Sequence, residues 1–436
     1  MLNEMKTLII GAGISGLSTA YHLKDDYLIL EKESTPGGLC RSVKSQGFTF
    51  DYSGHFIHLR NDYAKNFIFS FLGNNIKKIS RNSCIYSNKT LTQYPYQANL
   101  FGLPDKVIKE CISGLIQAKK TSKRLSLLNQ NITFHDWILR TFGKGFAKHF
   151  FFPYNNKLWT VSTKILTTDW IDIFIPQPNL KEVINGAYSE QKKSFGYNAS
   201  FYYPEKGGIQ ALIDSIKAKT HNLRLNSPVS RINVKNKYVI SNGNKIYYKN
   251  LVSTMPLPEL LSSIEGLPKA VLSAKNKLSW TSVDCINVAV KKQNLQKGVH
   301  WIYFPEKDFV FYRAGFYHNF TIKSVPPNCS SMYIEVSYQH DKKPGKSSIV
   351  KKVISGLKQS GLINGNDDIL ETQVLSIPYA YVIYDKNRKK ALKTINTYLK
   401  HNNIHSIGRY GSWKYSYIEE SILDAKSTAD LISKNE

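Results

Sequence analysis

Residues 6–31 read KTLIIGAGISGLSTAYHLKDDYLILE, and this stretch decides the fold. An apolar run, Leu8 to Ile10, leads into Gly11-Ala12-Gly13-Ile14-Ser15-Gly16. A helical pattern with Leu17, Ala20 and Leu23 follows, then a second apolar run, Tyr27 to Leu30, closed by Glu31. The periodicity predicts strand, glycine turn, helix, strand, acid. Gly11 permits the tight turn, Gly13 lets the backbone approach a pyrophosphate, and Gly16 lets helix lie close on strand. The helix N-terminus, with Ser15 in its first turn, offers free N–H groups and a positive dipole end to that phosphate. Glu31 stands where a carboxylate accepts from ribose hydroxyls. The expectation is an α/β chain that opens with a Rossmann-like unit and binds an adenine dinucleotide.

With 436 residues the chain can bury a large core and form two or more lobes. A hydrophobic content of 42%, with 12% aromatic, excludes a disordered chain. Lys and Arg total 59 against 32 Asp and Glu, a net charge of +27 that favours anionic partners such as nucleotide-linked substrates or phospholipid surfaces. The lysines fall in short polar stretches, such as KKTSKR (119–124) and DKKPGKSSIVKK (341–352), which read as a solvated basic face. No nucleic-acid motif accompanies them, so no nucleic-acid partner is expected. The 5 cysteines form no CxxC and no zinc spacing, so no metal is expected and a reducing, cytoplasmic location is. The first strand starts almost at once, leaving no room for a signal peptide, and no apolar run reaches the ~18 residues of a membrane span. A peripheral membrane or glycosyltransferase contact, and the oligomeric state, stay open.

Along the chain, STPGGLCRS (34–42) is a second glycine-rich turn, and GFTFDYSGHFIHLR (47–60) alternates like a strand before turning at Ser53-Gly54. From about residue 103 to 190 the pattern is helical, and 280–340 alternates as an antiparallel sheet. IHSIGRYGSWKYSYIEESILDAKSTADLI (404–432) is strand, glycine turn and final helix. The expected organisation is a discontinuous dinucleotide domain (1–75, 203–260 and 385–436), a mainly helical substrate or cap domain (76–202) and an antiparallel-sheet substrate domain (261–384).

That layout resembles the FAD-dependent amine oxidase superfamily, which includes protoporphyrinogen oxidases, carotenoid desaturases and UDP-galactopyranose mutases. The resemblance implies FAD as cofactor, with Gly37-Gly38, Leu39 and Arg41 along the flavin side, Val229 at the adenine, and Gly408 and Ile418 at the closing segment. A sharper resemblance to the mutases rests on four segments. These are RNSCIYSNKTLTQYPYQANL (81–100), FPYNNKLWT (152–160), FYRAGFYHN (311–319) and GRYGSWKY (408–415), to which SGHFIH (53–58) adds a histidine loop. It implies ring isomerisation of a UDP-sugar, pyranose to furanose, through N5 of reduced flavin, for cell-surface polysaccharide synthesis. Arg409, His55 and Arg313 are then the implied catalytic residues.

The residue types suit that chemistry. Planar guanidinium forks suit a diphosphate better than lysine does, making Arg81, Arg313 and Arg409 candidate clamps. Tyr94, Tyr96, Trp159 and Tyr415 are candidates to stack on uracil or sugar. Tyr381, in IPYAYVIYDKNR (377–388), joins them, and the amides of Gln97 and Asn155 are suited to orient base or ribose. No Ser/His/Asp or Cys/His set stands out, as expected where a cofactor carries the chemistry. Two positions depart from the mutase pattern. Phe174, in DWIDIFIP, stands where a further guanidinium is expected, and Tyr417 stands where an acid is. An apolar Phe174 suits a deoxy or modified sugar, or a different reaction. An FAD oxidase or desaturase acting on an amine, porphyrin or polyene is therefore the alternative, and a degenerate FAD protein serving as scaffold is the third reading.

Overall fold

A computed structural model describes residues 5–24, 26–125, 132–171, 174–191, 196, 199–365 and 369–434. The chain folds as an α/β protein around two seven-stranded sheets. In the first, β1 (Met5–Ile10) lies between β2 (Tyr27–Leu30) and the strand Asn244–Ser253. The strands Leu223–Arg224 and Ile404–Ser406 flank this trio, and all five run parallel. Val229–Asn233 and Tyr238–Ser241 add an antiparallel meander to the start of Asn244–Ser253. All four residues of β2 are buried, as expected of a parallel strand covered on both faces. Successive residues part to opposite sides. Ile9, Ile29 and Val252 meet α1 (Ile14–Leu23) and the helices Gln210–Lys217 and Ile418–Lys434 through Leu17, Ile213 and Ile422. Leu8, Ile10, Leu28 and Leu30 meet a second core that holds Leu257, Leu260, Ile395 and Leu399.

The second sheet runs, in spatial order, Ile369–Val382, Trp280–Val290, Ser330–Gln339, Arg313–Phe316, Trp301–Tyr303, Ser83–Ser87 and Thr90–Gln93. Its pairs are antiparallel except Trp301–Tyr303 with Ser83–Ser87. Helices Asp105–Leu125, Phe134–Phe146, Phe152–Trp159 and Leu180–Tyr188 follow the sequence pattern. Thr133 caps the second through the Asp136 amide. Asn179 and Glu182 form a capping box on the fourth, each such cap contributing about 1 kcal/mol.

The expected segment 76–202 is not confined to helices. Its strands Ser83–Ser87 and Thr90–Gln93 complete the antiparallel sheet, and Lys77–Ser80 pairs with Ser200–Tyr203. In the expected sheet segment 261–384, the helix Lys269–Lys275 packs instead on Arg388–His401. Contacts between residues more than 100 positions apart set these neighbours, and a contiguous cut of the sequence does not see them.

Candidate active site

The sequence fingerprint builds one end of a cleft of about 1300 Å³ that runs between the two sheets. That volume exceeds the roughly 300–1,000 Å³ of a single small-ligand site, leaving room for a dinucleotide and a second ligand. Gly11 adopts φ +97°, and its N–H donates to Leu30 O at 2.8 Å. A Cβ on Gly16 would overlap the Gly11 carbonyl oxygen, so only glycine lets α1 settle on the loop. Gly16 itself stands behind the cleft wall, acting through packing, whereas Gly11, Gly13 and Ser15 line it. Gly13 N-caps α1 without a side-chain acceptor, and Leu17 is the first amide bonded to it, at 3.0 Å. The N–H groups of Ile14, Ser15 and Gly16 are thus the unpaired donors of the first turn. Gly37 N donates to Ala12 O at 2.8 Å and ties the second glycine turn to the first.

Glu31 ends β2 as a buried carboxylate. It accepts from Ala12 N at 2.7 Å and from Glu33 N at 3.0 Å, which leaves lone pairs for a ribose. Arg41 Nε donates to Gly38 O at 2.8 Å while its guanidinium lies over Tyr52. Leu39, Val229, Gly408 and Ile418 complete this part of the lining as expected. Unpaired helix amides, a glycine cradle and a carboxylate at the end of the second strand fit an adenine dinucleotide.

At the other end the residues expected to act chemically come together. Arg409 donates to Ser416 O at 2.7 Å and Ala380 O at 3.0 Å, with its guanidinium 4.8 Å from the Tyr415 ring and 5.7 Å from Tyr381. Its partners carry no charge, so its cation is available to an anionic ligand. Arg313 differs. It forks onto Glu335, the residue directly opposite on Ser330–Gln339, and Ser53 Oγ donates to the same carboxylate. Burial works against the Arg313 charge, and Glu335 outweighs it and holds the guanidinium protonated. His55 lines the cleft here, with Nδ1 buried and unpartnered. Burial, then the Arg409 charge, pushes its pKa down to about 4, so the ring is neutral at physiological pH.

Tyr94, Tyr381 and Tyr415 line the same space, joined by Tyr154, Tyr303 and Tyr312. Burial raises the phenol pKa of Tyr94, Tyr154, Tyr303, Tyr312 and Tyr381, keeping each a hydrogen-bond donor. Trp159 lines the cleft and donates Nε1 to Asn155 Oδ1 at 3.2 Å, while Asn155 Nδ2 reaches Phe151 O at 2.9 Å. Asn155 is therefore largely engaged within its own helix. Gln97 donates to Pro176 O at 2.6 Å and leaves a buried, unpartnered Oε1 at the cleft.

Two expectations are corrected. Tyr96 is fully buried and stacks on Phe150 at 5.0 Å in the helical core, outside the cleft lining, because the 3-10 turn Tyr96–Ala98 turns Gln97 toward the cleft instead. Arg81 lies over the Tyr94 ring, 4.5 Å from its centroid, and supports that ring without itself lining the cleft. Phe174 meets Tyr415 edge-on at 5.1 Å and Tyr417 at 5.8 Å, so the positions that depart from the pattern form an aromatic wall.

Sequence reading missed Glu335, whose signal was a lone acid inside the apolar strand SSMYIEVSYQ. It also missed the role of Lys157, whose ammonium donates to the carbonyls of Phe304, Glu306 and Phe311. That bond set ties the helix carrying Tyr154, Asn155 and Trp159 to the loop leading to Arg313. Among the described residues no group of three or more His, Cys, Asp or Glu side chains could hold a metal, and no helix is long and apolar enough to cross a membrane.

Comparison with known proteins places this fold among flavoproteins. A crystal structure of reduced UDP-galactopyranose mutase superposes with a TM-score of 0.93 at 27% identity, over 99% of this chain and 96% of that one. A protein provisionally assigned as a protoporphyrinogen oxidase, from Exiguobacterium sp. 255-15, superposes at 0.77 with 15% identity over both whole chains. Putrescine oxidase follows at 0.68 with 15% identity, over 99% of this chain and 100% of that one, which shows the shared fold alone. A curated protein of Methanothermococcus thermolithotrophicus, uncharacterised and encoded in a nifH2 3′ region, is 44% identical over 61 residues. That match is 13% of this chain and spans 59% of the length of the relative. The family model of flavin-containing amine oxidoreductases matches residues 14–433, and the chain, a flavoprotein, belongs to that family.

Proposed function

We propose that the protein is a flavin-dependent mutase that interconverts the ring forms of a nucleotide sugar, a UDP-sugar in the first instance. The observation that carries this reading is the likeness to reduced UDP-galactopyranose mutase over nearly the whole chain. It is supported by a cleft whose inner end is lined by phenols and one uncompensated guanidinium, Arg409. Bound FAD, reduced for activity, would supply the electron-rich centre at which the anomeric carbon reacts. The chain's own residues then bind, orient and shield. Arg409 offers charge-assisted hydrogen bonds to the diphosphate and stabilises the charge that develops there as the glycosyl bond loosens. Tyr94, Tyr381 and Tyr415 stack on or donate to sugar and phosphate, and Gln97 Oε1 accepts from base or ribose. Neutral His55 packs at the inner end without carrying a proton, while Phe174, Trp159 and Trp170 keep water out. A cytoplasmic location and a role in polysaccharide synthesis belong to the same proposal.

The alternative is an oxidase or desaturase of the same family. It is favoured by two observations: Glu335 neutralises Arg313, and rings stand at Phe174 and Tyr417 where the mutase pattern has polar groups. The two readings separate in one assay. Flavin-loaded protein is incubated with UDP-hexoses with and without dithionite, and nucleotide-sugar products and oxygen uptake are followed. The mutase reading predicts ring-isomer product only after reduction, in the anaerobic dithionite arm, and no stoichiometric oxygen uptake in the arm without dithionite. Turnover of amine, porphyrin or polyene with oxygen, and none of UDP-sugars, would overturn it.

A further inference from the structure

Part of the net charge of +27 gathers on two neighbouring helices. Helices Lys269–Lys275 and Arg388–His401 pack together, burying Val271 and Ala274 on one and Ala391, Ile395 and Leu399 on the other. Their outer faces expose Lys269, Lys389, Lys390, Lys393 and Lys400, with Lys277 and Lys386 just beyond the helix ends. Neither helix contains an acidic residue. The acids Asp169 and Asp385 lie near Arg388, at the start of the second helix. Asp385 accepts from the amides of Asn387 and Arg388, and Glu265 pairs with Arg231 and Asn233. Within this basic field the exposed apolar side chain is Leu272, 43% exposed, while the ring of Tyr398 packs against the core.

We propose that this two-helix face docks the protein onto an anionic lipid surface. A broad array of lysines with no interleaved acid gains from a sheet of negative headgroups, at about fivefold in partition per lysine brought to the surface. Leu272 stands where an apolar side chain can enter the headgroup boundary. A single-stranded nucleic acid is the less suited partner, because no aromatic ring stands free on either helix to stack a base. Lys275, on the first helix, also lines the cleft, so docking brings the rim of the active site to the membrane surface.

The test is sedimentation of the flavin-loaded full chain with vesicles of phosphatidylcholine alone, or mixed with phosphatidylglycerol, at low and physiological salt. The proposal predicts binding to the anionic vesicles only, weakening with salt. The variant K389E/K390E/K393E/K400E should lose at least about a hundredfold in partition while keeping wild-type flavin content and thermal midpoint. The comparison variant K351E/K352E/K358E, on helix Lys346–Gln359, should lose less than about tenfold. Equal binding to neutral vesicles would overturn the proposal. So would an equal loss in the two variants, which would mean a diffuse effect of net charge. Retained binding in the first variant, or displacement of vesicles by tighter binding to single-stranded RNA, would overturn it as well.

Discussion

Replacing Glu335 by Gln removes the one carboxylate that, among the described residues, pairs with Arg313, while keeping the shape of the side chain. The Arg313 and Glu335 side chains are 17% and 2% exposed, and two guanidinium N–H groups reach the carboxylate. Two unit charges about 4 Å apart attract by about 4 kcal/mol at an effective dielectric of about 20. Removing one partner of a buried pair typically costs about 3–5 kcal/mol, because the other charge stays buried without compensation. For 436 residues, an unfolding entropy of about 2.1 cal/mol/K per residue sums to about 0.9 kcal/mol/K. The variant should therefore melt about 3–5 °C lower, measured calorimetrically on flavin-loaded protein at fixed excess flavin. The double variant Arg313→Met, Glu335→Leu should recover to within about 1–2 kcal/mol of wild type, since replacing a whole buried pair by apolar groups is often close to neutral. A shift below about 1 °C in the single variant, or a double variant as unstable as the sum of the two singles, would refute the reasoning.

Gly16→Ala places a methyl against the Gly11 carbonyl and should force α1 off the loop, so the purified protein carries little flavin; flavin content near wild type would contradict the cradle. Phe174→Arg puts a second guanidinium beside Tyr415 and should tighten UDP binding about tenfold or more through a charge-assisted bond. Unchanged affinity and unchanged substrate preference would remove Phe174 from the site. His55, His58 and His300 have pKa values pushed down to about 4 by burial, so the stability they contribute is present above about 6.5 and lost as pH falls toward 4. Asp51, raised by burial to about 6, acts oppositely, its contribution being lost as pH rises. Three imidazoles against one carboxyl give an uptake of about two protons on unfolding near pH 5, so the thermal midpoint should fall on acidification from pH 6.5 to 4.5; a level or rising midpoint would contradict the assignment.

The dinucleotide end was legible because its signals are local. Gly11, Gly13, Gly16 and Glu31 sit on one strand–helix–strand unit, and their spacing is the spacing of the structure. The inner end was legible residue by residue but not pair by pair. Arg313 stands out in FYRAGFYHN, yet its charge is decided by Glu335, which only strand register brings opposite. Tyr96 shows a different failure. In YPYQAN the aromatic beside a glutamine reads as a ligand contact, and the phase of a three-residue turn alone decides which of the two faces the cleft. The strands at 83–93 escaped for the same reason as Glu335. Ser83–Ser87 pairs with Trp301–Tyr303, more than 200 residues away, and carries no local mark of that partner, while Thr90–Gln93 joins the sheet through Ser83–Ser87.

The central claim is a nucleotide-sugar site at the inner end of the cleft, with Arg409 as its charged anchor. Calorimetric titration of flavin-loaded protein with UDP, oxidised and dithionite-reduced, tests it most directly. The account predicts micromolar binding in at least one flavin state, weakened about tenfold to a hundredfold in Arg409→Ala with flavin content unchanged, as expected for loss of charge-assisted hydrogen bonds. Absence of UDP binding in both states, or identical affinity in the variant, would contradict it.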